Sequence, residues 1–494
     1  MKKANKHINL SQGVNNNIAK GFSVLIFREF MMKLFSFFGQ LVVTRLLLPS
    51  DFGIFVIISF IVNFFALFSD IGLYSALIQK HEEPTKKMLS TIFFSQMFLT
   101  LLLILIICLL APFITIVYPQ FTLNNIKMIQ LFSLTLFITS LCSVPTALLE
   151  RDIAYNKISF ADLSGVVVYQ IAVIAFALMG FSTWSLIYAV IIKEFVELAV
   201  IFYFKPFKPQ FVFNIFEIIP MIRYGIFIQG GGALNFLYTS ITPVIAGTMS
   251  GASAVGLLNW ASGLSSVPES IATNFGRVAF ANFSKIQKDT FFLKKSIERS
   301  IGVLSIITLF FTLIVLAFGK EFVAVLYTQK WQAGITSLYW FTASTFFIAV
   351  TYALAQGILA VGRSKDIFFI TLFTTIFEWI LAYFLVSKFG FVGIAITMTI
   401  ISLLNFICYV FVAKKINLLP NLISTLLPKI VSVFALLLLT FFMDYLLPEG
   451  VVFLVIKICI IIFLYAKVMS IISKHDFEDV YILIVSELKI IKRR

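Results

Sequence analysis

From about Ala19 to Ile472 the chain is almost continuously apolar, cut by short polar loops into about fourteen segments of roughly 20 residues or more, each long enough to cross a bilayer. No water is available there to satisfy an open sheet edge, so such a chain must form helices that close their own hydrogen bonds. Hydrophobic residues make up 60% of the 494 and charged residues only 12%, which excludes a soluble core of this size. The expected fold is an all-α polytopic membrane protein. Its longest internal loops, near Lys205–Glu217 and Asn282–Lys295, leave no room for an extramembrane catalytic or binding domain.

A net charge of +15 invites a nucleic-acid reading, but the basic residues lie in loops and tails, where membrane orientation places them. One side collects Lys2, Lys3 and Lys6, then Lys80, Lys86 and Lys87, then Lys205 and Lys208, Lys294 and Lys295, Lys414 and Lys415, and the closing Lys492-Arg493-Arg494. The other has Arg45, Lys127, Lys320, Lys330 and Lys388, mostly at span edges. That asymmetry puts both termini in the cytoplasm and requires an even number of spans. A polar, lysine-bearing start precedes a long first span without a small-residue cleavage site, which reads as an uncleaved signal anchor.

The four cysteines are isolated within spans, with no metal or redox spacing. His7, His81 and His475 fall in a tail or loops, so a proton relay within the membrane must use carboxylates. No cofactor or metal is expected. Phe477, Tyr481, Ile484, Leu488 and Ile491 recur at helical spacing in the basic C-terminal tail. That spacing suits an amphipathic helix lying on the anionic inner leaflet, the alternative being a solvated end.

Two halves echo each other. Pro49-Ser-Asp-Phe-Gly-Ile-Phe55 opens the second span and Ser253-Ala-Val-Gly-Leu-Leu258 the eighth, while the turn Gly180-Phe181 matches Gly390-Phe391. Six spans per half give both halves one orientation, a parallel repeat about the membrane normal, as in transporters with a central cavity. The resulting division is a tail at 1–19, an N-lobe at 20–204, a cytoplasmic interlobe loop at 205–217 and a C-lobe at 218–413. Two added helices at 414–472 and the cytoplasmic tail at 473–494 complete it. Spans two, seven and eight are read as Phe52–Gln79, Ile218–Ile245 and Ala254–Phe280.

Arg45-Leu-Leu-Leu-Pro-Ser-Asp-Phe-Gly53, Phe68-Ser-Asp-Ile-Gly-Leu73 and Ala76-Leu-Ile-Gln79 resemble the opening of bacterial polysaccharide-export flippases. These are the Wzx-like polysaccharide transport family within the multidrug/oligosaccharidyl-lipid/polysaccharide exporter superfamily. Leu148-Leu-Glu-Arg-Asp152, Tyr224-Gly225 and Gly276-Arg277 resemble it too, and the similarity runs from about Ile18 to Lys415. The resemblance implies two six-helix lobes in a V that alternate between inward- and outward-open states in a bacterial cytoplasmic membrane. It implies a polyprenyl-pyrophosphate-linked oligosaccharide as cargo, with polysaccharide polymerase machinery as a potential partner.

A charge near mid-bilayer is expensive unless it faces a cavity or a partner. Span one carries Arg28, Glu29 and Lys33, and span six Lys193, Glu194 and Glu197. Glu29 with Lys33, and Lys193 with Glu197, stand one helical turn apart and can pair. Either these are self-neutralised salt bridges, or Arg28, Lys33 and Lys193 offer cationic sites to a pyrophosphate. Pro268-Glu269 breaks span eight and sets a carboxylate beside the break, a plausible cation or proton site. Glu378, mid-span with no charged neighbour in sequence, is the carboxylate for which burial most disfavours ionisation. Asp70 reads as a packing or capping residue. Gly230-Gly231-Gly232 suits close helix packing or a hinge.

These features favour a lipid-linked oligosaccharide flippase, ion-coupled through Glu29, Glu194, Glu197, Glu269 or Glu378, and not an enzyme. A lipid II flippase and a drug/cation antiporter share the fold; the antiporter expects an acidic cavity with few basic residues. A membrane glycan polymerase or ligase would need a sizeable outer loop, which this chain lacks.

Overall fold

A computed structural model describes residues 31–70, 72–80, 82–446 and 451–480, with side chains at 215, 224–231, 444, 446 and 451 left undescribed. No strand occurs among the described residues, in keeping with the requirement that each segment satisfy its own backbone. The chain divides into two compact units, Met1–Gly256 and Leu257–Arg494. Helix 219–239, which follows the 205–217 loop, groups with the first unit.

Unit 1 begins with α1 (31–46), α2 (Pro49–Ala66), α3 (Leu73–Gln79) and α4 (Lys86–Leu110). It continues with α5 (Ile114–Val117), α6 (Leu123–Phe132), α7 (Leu134–Arg151), α8 (Tyr155–Leu178) and α9 (Thr183–Phe204). Next come α10 (Ile219–Thr239), α11 (Gly247–Met249) and the start of α12 (Gly251–Ser265). Within this unit α8 and α9 pair as a hairpin, and α7 packs on both α4 and α9.

Unit 2 holds the rest of α12, then α13 (Val267–Ile286), α14 (Thr290–Leu326) and α15 (Ile335–Ala360). It ends with α16 (Ser364–Phe389), α17 (Val392–Lys415), α18 (Leu422–Leu446), α19 (Val451–Ile472) and α20 (474–480). α15 is its central helix, packed on α13, α14 and α17, and α18 docks on α14.

Ten described helices are long and apolar enough to cross a membrane. The expected fourteen are not all met, for local reasons. Lys193, Glu194 and Glu197 load α9 with charge, and the first span begins outside the described residues. The segments expected as spans seven and eight are interrupted. Pro243, which has no N–H to donate, sits in a π-helical stretch at Thr242–Ala246. Pro268, without an N–H to donate, accompanies the expected break in span eight, where α12 and α13 meet at Ser266 with its backbone still helical.

The expected span Phe52–Gln79 is likewise two helices. Gly72, at φ +75°, turns the chain between α2 and α3, and the Tyr74 N–H donates to Asp70 Oδ1 at 3.1 Å. Asp51 in the Pro-Ser-Asp-Phe-Gly stretch accepts from the Leu48 N–H at 2.9 Å and from the hydroxyls of Ser182 and Thr183. It thereby ties the start of α2 to the start of α9.

Both repeat-related turns contain a left-handed glycine, Gly180 at φ +82° and Gly390 at φ +60°, and each joins a helical hairpin, α8–α9 or α16–α17. Elsewhere in unit 1, helices meet backbone to backbone: a Cβ on Gly53 would fall 1.6 Å from the Ala252 carbonyl oxygen, and one on Gly256 1.8 Å from that of Pro49. Such approach is available only to glycine. The Tyr118 hydroxyl, pushed up to about 12 by burial, donates to the Pro243 carbonyl at 3.1 Å and so holds the π-helical stretch.

Candidate functional site

The walls of the site in unit 1 come from α2, α3, α4, α6, α7 and α9 and the turn at Ser69 and Asp70, with short polar side chains set among apolar ones. α7 carries Thr135, Thr139, Ser143 and Thr146 one turn apart, a hydroxyl stripe at helical spacing. With Asn63 of α2, Gln96 of α4 and Glu194 of α9, this stripe surrounds a cavity of about 550 Å³. A second cavity of about 430 Å³ shares Asn63 and Ala66 with the first and is lined by Gly232, Asn235 and Thr239 of α10.

Asp70 lies in the wall of the first cavity, and Gln96 Nε2 donates to its Oδ1 at 3.0 Å. Gln96 is only 2% exposed, and its amide oxygen has no hydrogen-bond partner among the described residues. Glu194 faces the cavity and accepts from Lys193 Nζ at 3.0 Å, while Thr139 Oγ1 approaches its other oxygen at 3.4 Å. Lys193 also reaches Glu197 Oε1 at 3.2 Å. Glu197 is seated against α8 at Gly165, where a Cβ would fall 2.2 Å from that oxygen.

One ammonium thus serves two carboxylates. Among the described residues, neither Lys193 nor any other lysine or arginine lines the cavity. Its polar lining groups are carboxylates, hydroxyls, amides and the Cys142 thiol, beside Ala66, Phe132, Leu136 and Val190.

Of the other residues singled out in the sequence, Arg28 and Glu29 lie outside the described residues. Lys33 is exposed on α1. Gly230 and Gly231 belong to α10, and Gly232 lines the second cavity. In unit 2, Glu269 is half-buried in the first turn of α13, where a carboxylate complements the positive end of the helix. Glu378 of α16 is 0% exposed, and neither carboxylate oxygen has a partner among the described residues. The structure therefore joins Asp70, Glu194 and the Lys193–Glu197 pair around one feature, while Glu269 and Glu378 belong to the other unit.

Two groups of residues were missed in the sequence. The hydroxyl stripe on α7 was readable from its spacing. Lys429, inside α18 and 1% exposed, was signalled by a lone lysine in an apolar span. It donates to the Gly302 carbonyl at 3.0 Å, Ser305 Oγ at 3.2 Å and Asp476 Oδ2 at 2.8 Å. Asp476 lies on α20, and the next turn presents Asp479 to Arg299 of α14. The first turns of the expected surface tail are thus docked in unit 2, with Phe477 and Val480 in its apolar core; the tail beyond residue 480 lies outside the described residues.

A family model described as polysaccharide biosynthesis protein matches residues 42–336. The lipopolysaccharide biosynthesis protein WzxC of Escherichia coli (strain K12) is 24% identical over 381 residues, 76% of each chain. The succinoglycan biosynthesis transport protein ExoT of Rhizobium meliloti (strain 1021) is 24% identical over 251 residues, half of each chain. Among solved structures, the lipid II flippase MurJ in an inward closed conformation superposes with a TM-score of 0.70 at 14% identity, covering 90% of this chain and 99% of that one. At that identity the likeness is one of fold.

Proposed function

This chain belongs to the polysaccharide biosynthesis protein family, and on that premise we propose that it is a flippase carrying a polyprenyl-pyrophosphate-linked oligosaccharide from the cytoplasmic to the outer leaflet by alternating access. The observation that supports this reading is the polar cavity of about 550 Å³ inside an otherwise apolar bundle. Its size falls in the range of small-molecule sites, and its cost to a membrane protein has no purely structural return. The basic asymmetry of the loops supports cytoplasmic termini. Lys489, Lys492, Arg493 and Arg494 would hold the end of the tail to anionic lipid, and polymerase machinery would receive the product.

Coupling to an ion gradient fits Glu378. A buried carboxyl without a hydrogen-bond partner is costly to keep, and a proton that it alternately holds and releases is a reason to keep it.

Extraction of lipids from a deletion strain, followed by mass spectrometry, tests the reading. Accumulation of a lipid-linked oligosaccharide, relieved by the wild-type gene, is the expected result. Normal surface polysaccharide with no accumulated intermediate overturns it. One observation favours a second reading: a cavity lined by Asp70 and Glu194, with no lysine or arginine among the described residues, suits a drug/cation antiporter. Unchanged sensitivity to cationic dyes in the deletion strain removes that alternative.

A further inference from the structure

The polar groups in the wall of the unit 1 cavity, set among Ala66, Phe132, Leu136 and Val190, offer mainly hydrogen-bond acceptors. Each hydroxyl has one proton to donate, and those of Ser69, Thr135, Thr139 and Ser140 go to main-chain carbonyls of their own segments at 2.7–2.8 Å. What these side chains turn toward the cavity is lone pairs. Asp70 and Glu194 add carboxylate oxygens. Gln96 gives an amide proton to Asp70 and so fixes that carboxylate in the wall.

A pyrophosphate has only acceptors and negative charge to offer, and this lining would repel it. A dehydrated cation takes about six to eight oxygens, and a chamber of about 550 Å³ is far larger than such a site needs. A polyhydroxylated sugar matches on both counts, with many donors in a volume of that order.

We propose that the unit 1 cavity is the subsite for the sugar part of the cargo, with Asp70 and Glu194 accepting from its hydroxyls, and that the diphosphate is bound elsewhere. This rests on the flippase reading. It divides the cargo between two chemistries, so the cationic residues named from the sequence are not needed at this cavity.

The test uses the full-length protein in detergent. The probe is the phosphate-free oligosaccharide released by mild acid from the lipid-linked intermediate of the deletion strain. If no intermediate accumulates, the flippase reading itself fails before this step. Calorimetric titration of the wild type with that oligosaccharide, with inorganic pyrophosphate and with sodium chloride follows. Alkylation of Cys142, which lines the cavity, is measured in parallel in a variant whose other three cysteines are serine.

The oligosaccharide is expected to bind and to protect Cys142, with no competition from pyrophosphate. Glu194→Gln is expected to weaken binding at least tenfold, and Thr139→Val, a milder change, at least threefold should the first variant not fold. Pyrophosphate that binds and protects Cys142 overturns the proposal. So does sodium binding that Asp70→Asn abolishes while the oligosaccharide leaves Cys142 unprotected, which would make the cavity a cation site.

Discussion

Lys429 and Asp476 stand 2.8 Å apart although 47 residues separate them, and the space between their helices exists because residue 302 is a glycine. A Cβ on Gly302 would fall 2.4 Å from Asp476 Oδ2. The lysine is buried in α18, the aspartate lies on α20, and the carbonyl of Gly302 on α14 completes the cluster. Three elements are therefore keyed by one charge.

Asp476→Ala should leave that ammonium buried without its counter-ion. Breaking a buried pair costs about 3–5 kcal/mol, and the partial exposure of Asp476 places the expected loss near the lower end. Thermal unfolding in detergent measures it. Lys429→Met combined with Asp476→Leu should recover most of the loss, since an apolar pair removes the uncompensated charge.

Gly53→Ala and Gly256→Ala should prevent the first unit from folding. The obstructing atoms are backbone carbonyls at 1.6 and 1.8 Å, which cannot rotate away, so the cost exceeds the about 1–3 kcal/mol of ordinary overpacking. Gly263→Ala is the control. Nothing lies within 4 Å of a Cβ there, and it should stabilise α12 by about 0.5–1 kcal/mol. Membrane yield and monodispersity after solubilisation separate the outcomes.

Gly180→Ala and Gly390→Ala should each cost about 1–2 kcal/mol through backbone strain alone. Both positions have a positive φ and open space around the missing Cβ. Losses at both turns are the expected outcome in thermal unfolding, the larger at Gly390, whose ψ of −153° lies in a region essentially closed to other residues. A loss at one turn only would mean that the two hairpins are held differently.

Glu378→Leu should raise thermal stability, because it removes a buried carboxyl with no partner among the described residues. The same substitution should abolish the dependence of transport on a proton gradient in reconstituted vesicles. Transport by the variant that still collapses with the gradient would take coupling away from Glu378.

Much of the architecture was legible before any coordinates. Apolar runs, loop charges and the Gly180 and Gly390 turns are local properties that a helix and a bilayer impose residue by residue. The break at Pro268 was expected, but those at Gly72 and Pro243 were harder to see, because a glycine or proline within an apolar run specifies a tolerance and packing decides whether it is used. Lys193 with Glu197 was foreseeable from a spacing of one turn. Gln96 of α4 against Asp70 in the turn between α2 and α3, 26 residues apart, was not.

The sequence by itself determined that this chain lives in a membrane as helices, which family signatures it bears and which residues place charge where lipid would not allow it. Tertiary structure alone decided which of those charges are spent on one another and which polar atoms are left facing a cavity. The physical reason is that hydropathy and helical period are properties of a segment, whereas neutralisation and hydrogen-bond satisfaction are properties of pairs. For Gln96, Lys429 and Glu378, the presence or absence of a partner is set by how helices distant in sequence pack.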